Sequence, residues 1–149
     1  MKYLLDTNIL INAVRNTPLF ESIETDLNLF SPNNSTHIST VSVGEIYSLA
    51  LRNKWGQKRK NAVEAFLELV QTLPVATRQL MRAYAEIDAY SQGKHPNLHL
   101  PVGLSARNMG KNDLWIAATA HVLDATLVST DKDFLHLDGV FIKLFFIAV

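Results

Sequence analysis

The 149-residue chain carries 14 Lys+Arg against 14 Asp+Glu, with 48% hydrophobic and 19% charged residues, a length and mix that suit one globular core and exclude disorder. It has no cysteine, which removes disulfides, thiolate metal sites and cysteine nucleophiles together. No apolar run approaches the roughly 20 residues that span a bilayer, and Asp6 interrupts the apolar start with no small-residue cleavage site after it, so a cytoplasmic protein without membrane contact is expected.

Lys2 to Leu5 reads as a short apolar strand ending at Asp6-Thr7-Asn8, after which Ile9, Leu10, Ala13 and Val14 keep helical spacing. Thr17-Pro18 breaks that pattern; Leu19 to Leu29 is a weakly amphipathic helix and Ser31-Pro32-Asn33-Asn34 a loop. His37-Ile38-Ser39 is a second strand, followed by a helix from about Val41 to Trp55. Lys60 to Thr72 has apolar residues at 62, 63, 66, 67, 69 and 70, an amphipathic helix. Leu73-Pro74-Val75 is extended, and a helix beginning at Thr77 has apolar positions 80, 81, 84, 87 and 90. Gln92 to Lys111 holds Gly, Pro, Asn and His without periodicity, a long surface loop. Leu114 to Leu123 is a helix, Thr126 to Ser129 a fourth strand and Val140 to Phe146 a fifth. Strands alternating with helices predict an α/β fold, a three-layer α/β/α sandwich around a mostly parallel sheet of four to five strands, in one domain over residues 1–149. Right-handed crossovers then bring the C-terminal ends of the strands to one edge, where such sheets bind ligands.

Asp6, Glu45, Asp113 and Asp131 each lie just past a strand or at a helix start. Capping accounts for each one alone. Asp6 caps the first helix, Ser42-Val43-Gly44-Glu45 fits the S-x-x-E capping box, Asn112 and Asp113 open a helix, and Asp131 caps a turn through Lys132-Asp133-Phe134. Together they converge on one sheet edge, where like charges raise one another's pKa unless a cation is present. An oxygen-only donor set suits Mg²⁺ or Mn²⁺, ions that activate water and neutralise charge on a phosphoryl oxygen.

Leu4-Leu5-Asp6-Thr7-Asn8-Ile9-Leu10, Ile38-Ser39 with Val43-Gly44-Glu45-Ile46, Asn112-Asp113-Leu114-Trp115-Ile116-Ala117-Ala118, and Leu127-Val128-Ser129-Thr130-Asp131-Lys132-Asp133-Phe134 resemble the PIN-domain ribonucleases. The nearest likeness is to the VapC type, toxin halves of toxin–antitoxin pairs. The four pieces stand in the family's order over nearly the whole chain. The resemblance implies that Asp6, Asp113 and Asp131 bind metal and that Glu45 holds it directly or through water. Asp133 either assists or is a solvated turn residue, and Thr7, Asn8 and Ser129 support the site through hydrogen bonds. It further implies a Mg²⁺- or Mn²⁺-dependent endoribonuclease leaving 5′-phosphate and 3′-hydroxyl ends, a cognate antitoxin protein, and a homodimer with two acidic sites beside one groove. The alternative is an inactive PIN scaffold that binds RNA or protein. Gln92 to Lys111 is longer than in many toxin-type relatives, which leaves the path of the substrate open.

Arg52, Lys54, Lys58, Arg59 and Lys60 are five basic residues without an acid among them, and Trp55 lies inside the run. It reads as a solvated helix end or as a clamp for RNA phosphates with Trp55 stacking on a base. By the resemblance, it is also where an antitoxin lies. A net charge of zero first suggests no polyanionic partner. Setting the four proposed ligands aside leaves 14 basic against 10 acidic residues, so neutrality does not exclude RNA. His95 and His99 have i, i+4 spacing, but Pro96 argues against a helical metal pair, and His121 is a packed or partly exposed residue. Asp131-Lys132-Asp133 has the D-x-D spacing of aspartyl-phosphate phosphatases but stands far from the first strand, and there is no Gly-rich phosphate loop or G-x-S-x-G.

Overall fold

A computed structural model describes every residue from Met1 to Val149. The strands are β1 Lys2–Leu5, β2 Ser35–Ser39, β3 Gln71–Leu73, β4 Thr126–Ser129 and β5 Lys143–Phe146. They form one sheet in the order β3-β2-β1-β4-β5. Every ladder is parallel, with Leu5 opposite both Ile38 and Val128 and Ser129 opposite Phe146. Central strands of such a sheet are covered on both faces, which is why Tyr3-Leu4-Leu5 and Leu127-Val128 are continuous apolar runs.

Alternation along the strands separates two cores. Leu4 and Leu127 pack with α5 (Arg78–Ser91), α6 (Lys111–Leu123) and a 3-10 helix at Lys132–Leu137. Tyr3, Leu5, Ile38 and Val128 pack with α1 (Thr7–Val14), α2 (Pro18–Leu27), α3 (Thr40–Arg52) and α4 (Gln57–Leu69). The architecture is thus the expected three layers. Ile87 of α5 is wholly buried, remote in sequence from the proposed ligands. Ile87→Val is expected to lower stability by about 1 kcal/mol, read from the urea midpoint at unchanged slope.

Local chemistry moves several boundaries. β3 precedes the expected Leu73–Val75 segment because Pro74 has no N–H for a ladder. The fifth strand begins at Lys143, since Gly139 (φ 76°) turns the chain and the Val140, Phe141 and Ile142 N–H groups donate back to the Leu137 carbonyl. α3 ends at Arg52, not Trp55, with Lys54 in the left-handed region at φ 52°. Its cap is Ser39, whose Oγ accepts from the Val41 N–H at 3.1 Å. The predicted capping box therefore does not form, and Ser42 is a buried helical residue. α6 starts after Gly110, which leaves Asn112 inside the first turn instead of at the cap. Residues 92–110 form no regular element. His95 Nδ1 accepts there from the Asn97 and Leu98 N–H groups, while His99 is exposed, so the two do not pair.

Candidate active site

Parallel topology places the ends of β1, β2 and β4 side by side. α6 joins β4 through Asp124-Ala125 alone, so its N-terminus returns to the same edge. Asp6 follows β1 directly and is only 4% exposed. Its Oδ1 accepts from the Thr7 N–H at 2.7 Å, capping α1, and its Oδ2 accepts from the Ser129 hydroxyl at 2.6 Å. Ser129 Oγ also accepts from the Asp131 N–H at 2.9 Å, and Asp131 Oδ1 accepts from the Asp133 N–H at 2.8 Å. One run of hydrogen bonds thus links Asp6, Ser129, Asp131 and Asp133 across two strand ends.

On the other flank, the Thr7 hydroxyl donates to Glu45 Oε1 at 2.8 Å and lies 2.9 Å from Ser42 Oγ. Glu45 sits one turn into α3 and is half-buried. Thr7 and Ser129 each donate a hydroxyl hydrogen bond to a carboxylate of this edge. Asn8 does not: its Oδ1 is buried without a hydrogen bond.

Asp113 lies in the first turn of α6. Asp113, Asp131 and Asp133 each offer a carboxylate oxygen within 4.8 Å of the others, with Asp133 exposed and the other two half-buried. The tightest acidic triple thus contains Asp133, while Asp6 lies outside it and acts on it electrostatically. Burial pushes the Asp113 carboxyl up to about 7, aided in order by the charges of Asp6, Asp131, Glu45 and Asp133. Burial likewise raises Asp6 to about 6, with Asp131 and Glu45 adding to it against the lowering hydrogen bonds from Ser129 and Thr7. Acids crowded and desolvated in this way are relieved by a cation. The donors are all carboxylate oxygens, which fits a hard divalent ion.

Gly110 belongs to this site although nothing in the sequence pattern singled it out. A Cβ there would come within 3.3 Å of Asp113 Oδ2, so glycine leaves that carboxylate room over the helix start. His136 was equally silent. It lies in the 3-10 helix with its side chain buried, Nε2 2.7 Å from Ser91 Oγ and its ring stacked on Tyr90. Burial first, then Arg107, hold its pKa below the ordinary value. His121 is exposed, its Nδ1 2.6 Å from the Phe141 carbonyl.

The basic run divides. Arg52 points along α3 toward Glu45, its Nε donating to Ser48 Oγ at 3.3 Å. Lys54, Lys58 and Arg59 line a separate cavity of about 620 Å³ with Arg15, at the ends of α1 and α3 that lead away from the acids. Lys60 borders an apolar groove of about 460 Å³ with Tyr47, Leu51 and Val63. Trp55 is only 6% exposed, with the Arg15 and Arg59 guanidinium carbons 5.9 and 5.0 Å from its ring centroid. The expected stacking surface for a base is therefore corrected: this ring is packed into the core on the α1–α4 side.

Comparison with known proteins matches residues 3–140 to the PIN domain family. Ribonuclease VapC2 of Rickettsia felis is 26% identical over 144 residues, covering 96% of this chain and 97% of that protein. Ribonuclease VapC1 of Haemophilus influenzae strain R2866 is 30% identical over 129 residues, 87% of this chain and 86% of that one. Among solved structures, VapBC2 from Rickettsia felis bound to a DNA fragment from its promoter superposes with a TM-score of 0.75 at 25% identity, over 97% of this chain and 98% of that chain. VapBC-1 from nontypeable Haemophilus influenzae does so with a TM-score of 0.73 at 25% identity, over 98% of both chains.

Proposed function

The chain belongs to the PIN domain family, and from that premise we infer that its strand-end acids form the metal site of an endoribonuclease. The protein is a VapC-type toxin, related in sequence to ribonucleases and in fold to toxin–antitoxin complexes. A protein antitoxin is its partner, and RNA is its substrate. No helix is long and apolar enough to cross a membrane. The observation that carries the metal-dependent reading is the desolvated group of acids, with Asp113 and Asp6 raised to about 7 and about 6.

Asp6, Asp113 and Asp131 would hold Mg²⁺ or Mn²⁺, with Asp133 beside them and Glu45 in contact directly or through water. The bound ion would supply charge neutralisation at the phosphate and a more acidic attacking water. Glu45 Oε1 takes the Thr7 hydroxyl, which fixes the carboxylate and leaves Oε2 to orient that water and accept its proton. Ser129 fixes Asp6 in the same way. Attack at phosphorus with cleavage of the P–O3′ bond leaves a 5′-phosphate, and the 3′-oxygen departs as a hydroxyl after taking a proton. Pairing of two copies would set two such sites beside one groove.

Purified protein with structured RNAs and Mn²⁺ or Mg²⁺ is expected to cut them and leave 5′-phosphate ends. Excess EDTA and the Asp6→Asn substitution are each expected to stop the reaction. Cutting that persists in EDTA overturns the metal-dependent reading.

A further inference from the structure

Beside Glu45, and outside the acidic cluster, an open cavity of about 490 Å³ lies between α3 and the start of α6. Val41, Gly44, Glu45, Ser48 and Arg52 line it from α3, and Asn112 faces them from α6. The α3 positions recur every three or four residues, so they form one stripe on the helix. Three of these residues carry groups or gaps that the chain itself does not use.

Arg52 is the single cation among the lining residues. The ion pairs of this protein are His95 with Glu86 and Lys143 with Asp124, so the Arg52 charge has no carboxylate partner. Glu45 is seven residues away along the same helix, roughly 10 Å of rise. With Nε on Ser48, the two terminal nitrogens remain as a fork suited to a phosphate. Gly44 stands inside α3, where glycine costs about 1 kcal/mol relative to alanine. Its backbone is not in the left-handed region, and a Cβ there would meet nothing within 4 Å. Neither backbone nor packing asks for glycine, yet its absent side chain flattens the cavity wall next to Glu45. Asn112 is exposed, makes no side-chain hydrogen bond within the chain and lies one residue before Asp113.

We propose that this cavity is a nucleotide subsite flanking the scissile phosphate, in which Arg52 binds a neighbouring RNA phosphate and Asn112 reads a base edge. Gly44 lets the sugar-phosphate backbone lie flat against α3 between them. A carboxamide offers one donor side and one acceptor side, the pairing by which single-stranded bases are told apart. The subsite rests on the ribonuclease reading above, and it makes Arg52 and Asn112 substrate-positioning residues instead of parts of the acidic centre.

The test is steady-state cleavage of short single-stranded oligoribonucleotides by the intact protein in Mn²⁺ at several salt concentrations. The set varies the base on either side of the mapped cut. Arg52→Ala is expected to raise KM about tenfold with kcat within about twofold, the size of one charged hydrogen bond. It is also expected to reduce the slope of log(1/KM) against log salt by about 0.7, the share of one single-strand phosphate. Arg52→Lys should keep that slope. Asn112→Ala should flatten the differences in kcat/KM between bases at one position beside the cut. Unaltered melting of each variant in EDTA shows that the fold is intact. A wild type that cuts while Arg52→Ala keeps its KM and salt slope overturns the subsite and leaves the ribonuclease reading standing. So does an Arg52→Ala variant that loses affinity for an acidic peptide but not for RNA. A wild type that cuts no RNA overturns both.

Discussion

Replacing Asp113 by asparagine is expected to reduce RNA cleavage by about 10³-fold or more and, in EDTA, to raise the melting temperature of the same protein. The two effects share one cause. Asp113 is held where burial and four neighbouring carboxylates oppose its ionisation, and asparagine keeps the shape without the charge. Because Asp113 is half-buried, solvent screens much of the shift, and a gain of about 1–2 kcal/mol is expected at pH 7.5. For a chain of this length that is a rise of roughly 2–8 °C. With saturating Mn²⁺ the order reverses: the wild type gains about 2.7 kcal/mol at a hundredfold excess over Kd, while the variant lacks one ligand and gains less. Thermal melts of both proteins in EDTA and in Mn²⁺ check this. An Asp113→Asn protein that melts below the wild type in EDTA contradicts it.

Stability without metal is expected to fall as pH rises from 6 to 8. The folded-state values for Asp6 and Asp113, about 6 and about 7, lie above the ordinary aspartate value of 3.8. Between these limits the folded protein binds more protons than the unfolded chain, so each proton lost on raising the pH weakens it. For buried Asp6 the full effect is on the order of 3 kcal/mol, most of it lost between about pH 4 and 6, so the decline above pH 6 comes chiefly from Asp113, whose effect is smaller after screening. His37 and His136 work in the opposite sense. Burial lowers the pKa of both, so the unfolded chain takes up their protons first as pH drops below about 6.5, offsetting part of the carboxyl effect on the acid side. Divalent ions bind the ionised carboxylates and displace their protons. Mn²⁺ should therefore flatten the decline between pH 6 and 8, and its affinity should rise over the same range. Urea midpoints at pH 6, 7 and 8, with EDTA or Mn²⁺, measure both. A midpoint that climbs with pH in EDTA runs against the sign.

The parts of the molecule that sequence reveals are those whose cause is local or periodic. Tyr3-Leu4-Leu5 and Leu127-Val128 are apolar without alternation because both faces of their strands are covered, which marks them as central strands of a parallel sheet. Once those strands are placed, connectivity alone carries Asp6, Glu45, Asp113 and Asp131 to one edge. Features that depend on approach through space leave no such mark. Asp133 joins Asp113 and Asp131 because the Asp131 cap folds the following turn back on itself. The close approach at Gly110, where a Cβ would meet the Asp113 carboxylate at 3.3 Å, depends on a residue three positions on folding back over it. Trp55 is covered in part by Arg15, 40 positions earlier, and a run of cations around it misleadingly reads as exposed. Ser42-Val43-Gly44-Glu45 satisfies a local capping pattern, but β2 runs to Ser39 and that residue caps the helix first.

The hydrogen bond from Ser129 to Asp6 joins residues 123 positions apart, and β1 lies between β2 and β4 in the sheet. During synthesis the chain therefore passes through most of its length with Asp6 made but with neither Asp113 nor Asp131 beside it. No fragment lacking β4 assembles the acidic pocket. A chain that ends before β4 is therefore expected not to cut RNA, and cutting capacity is expected only once the fourth strand docks against the first.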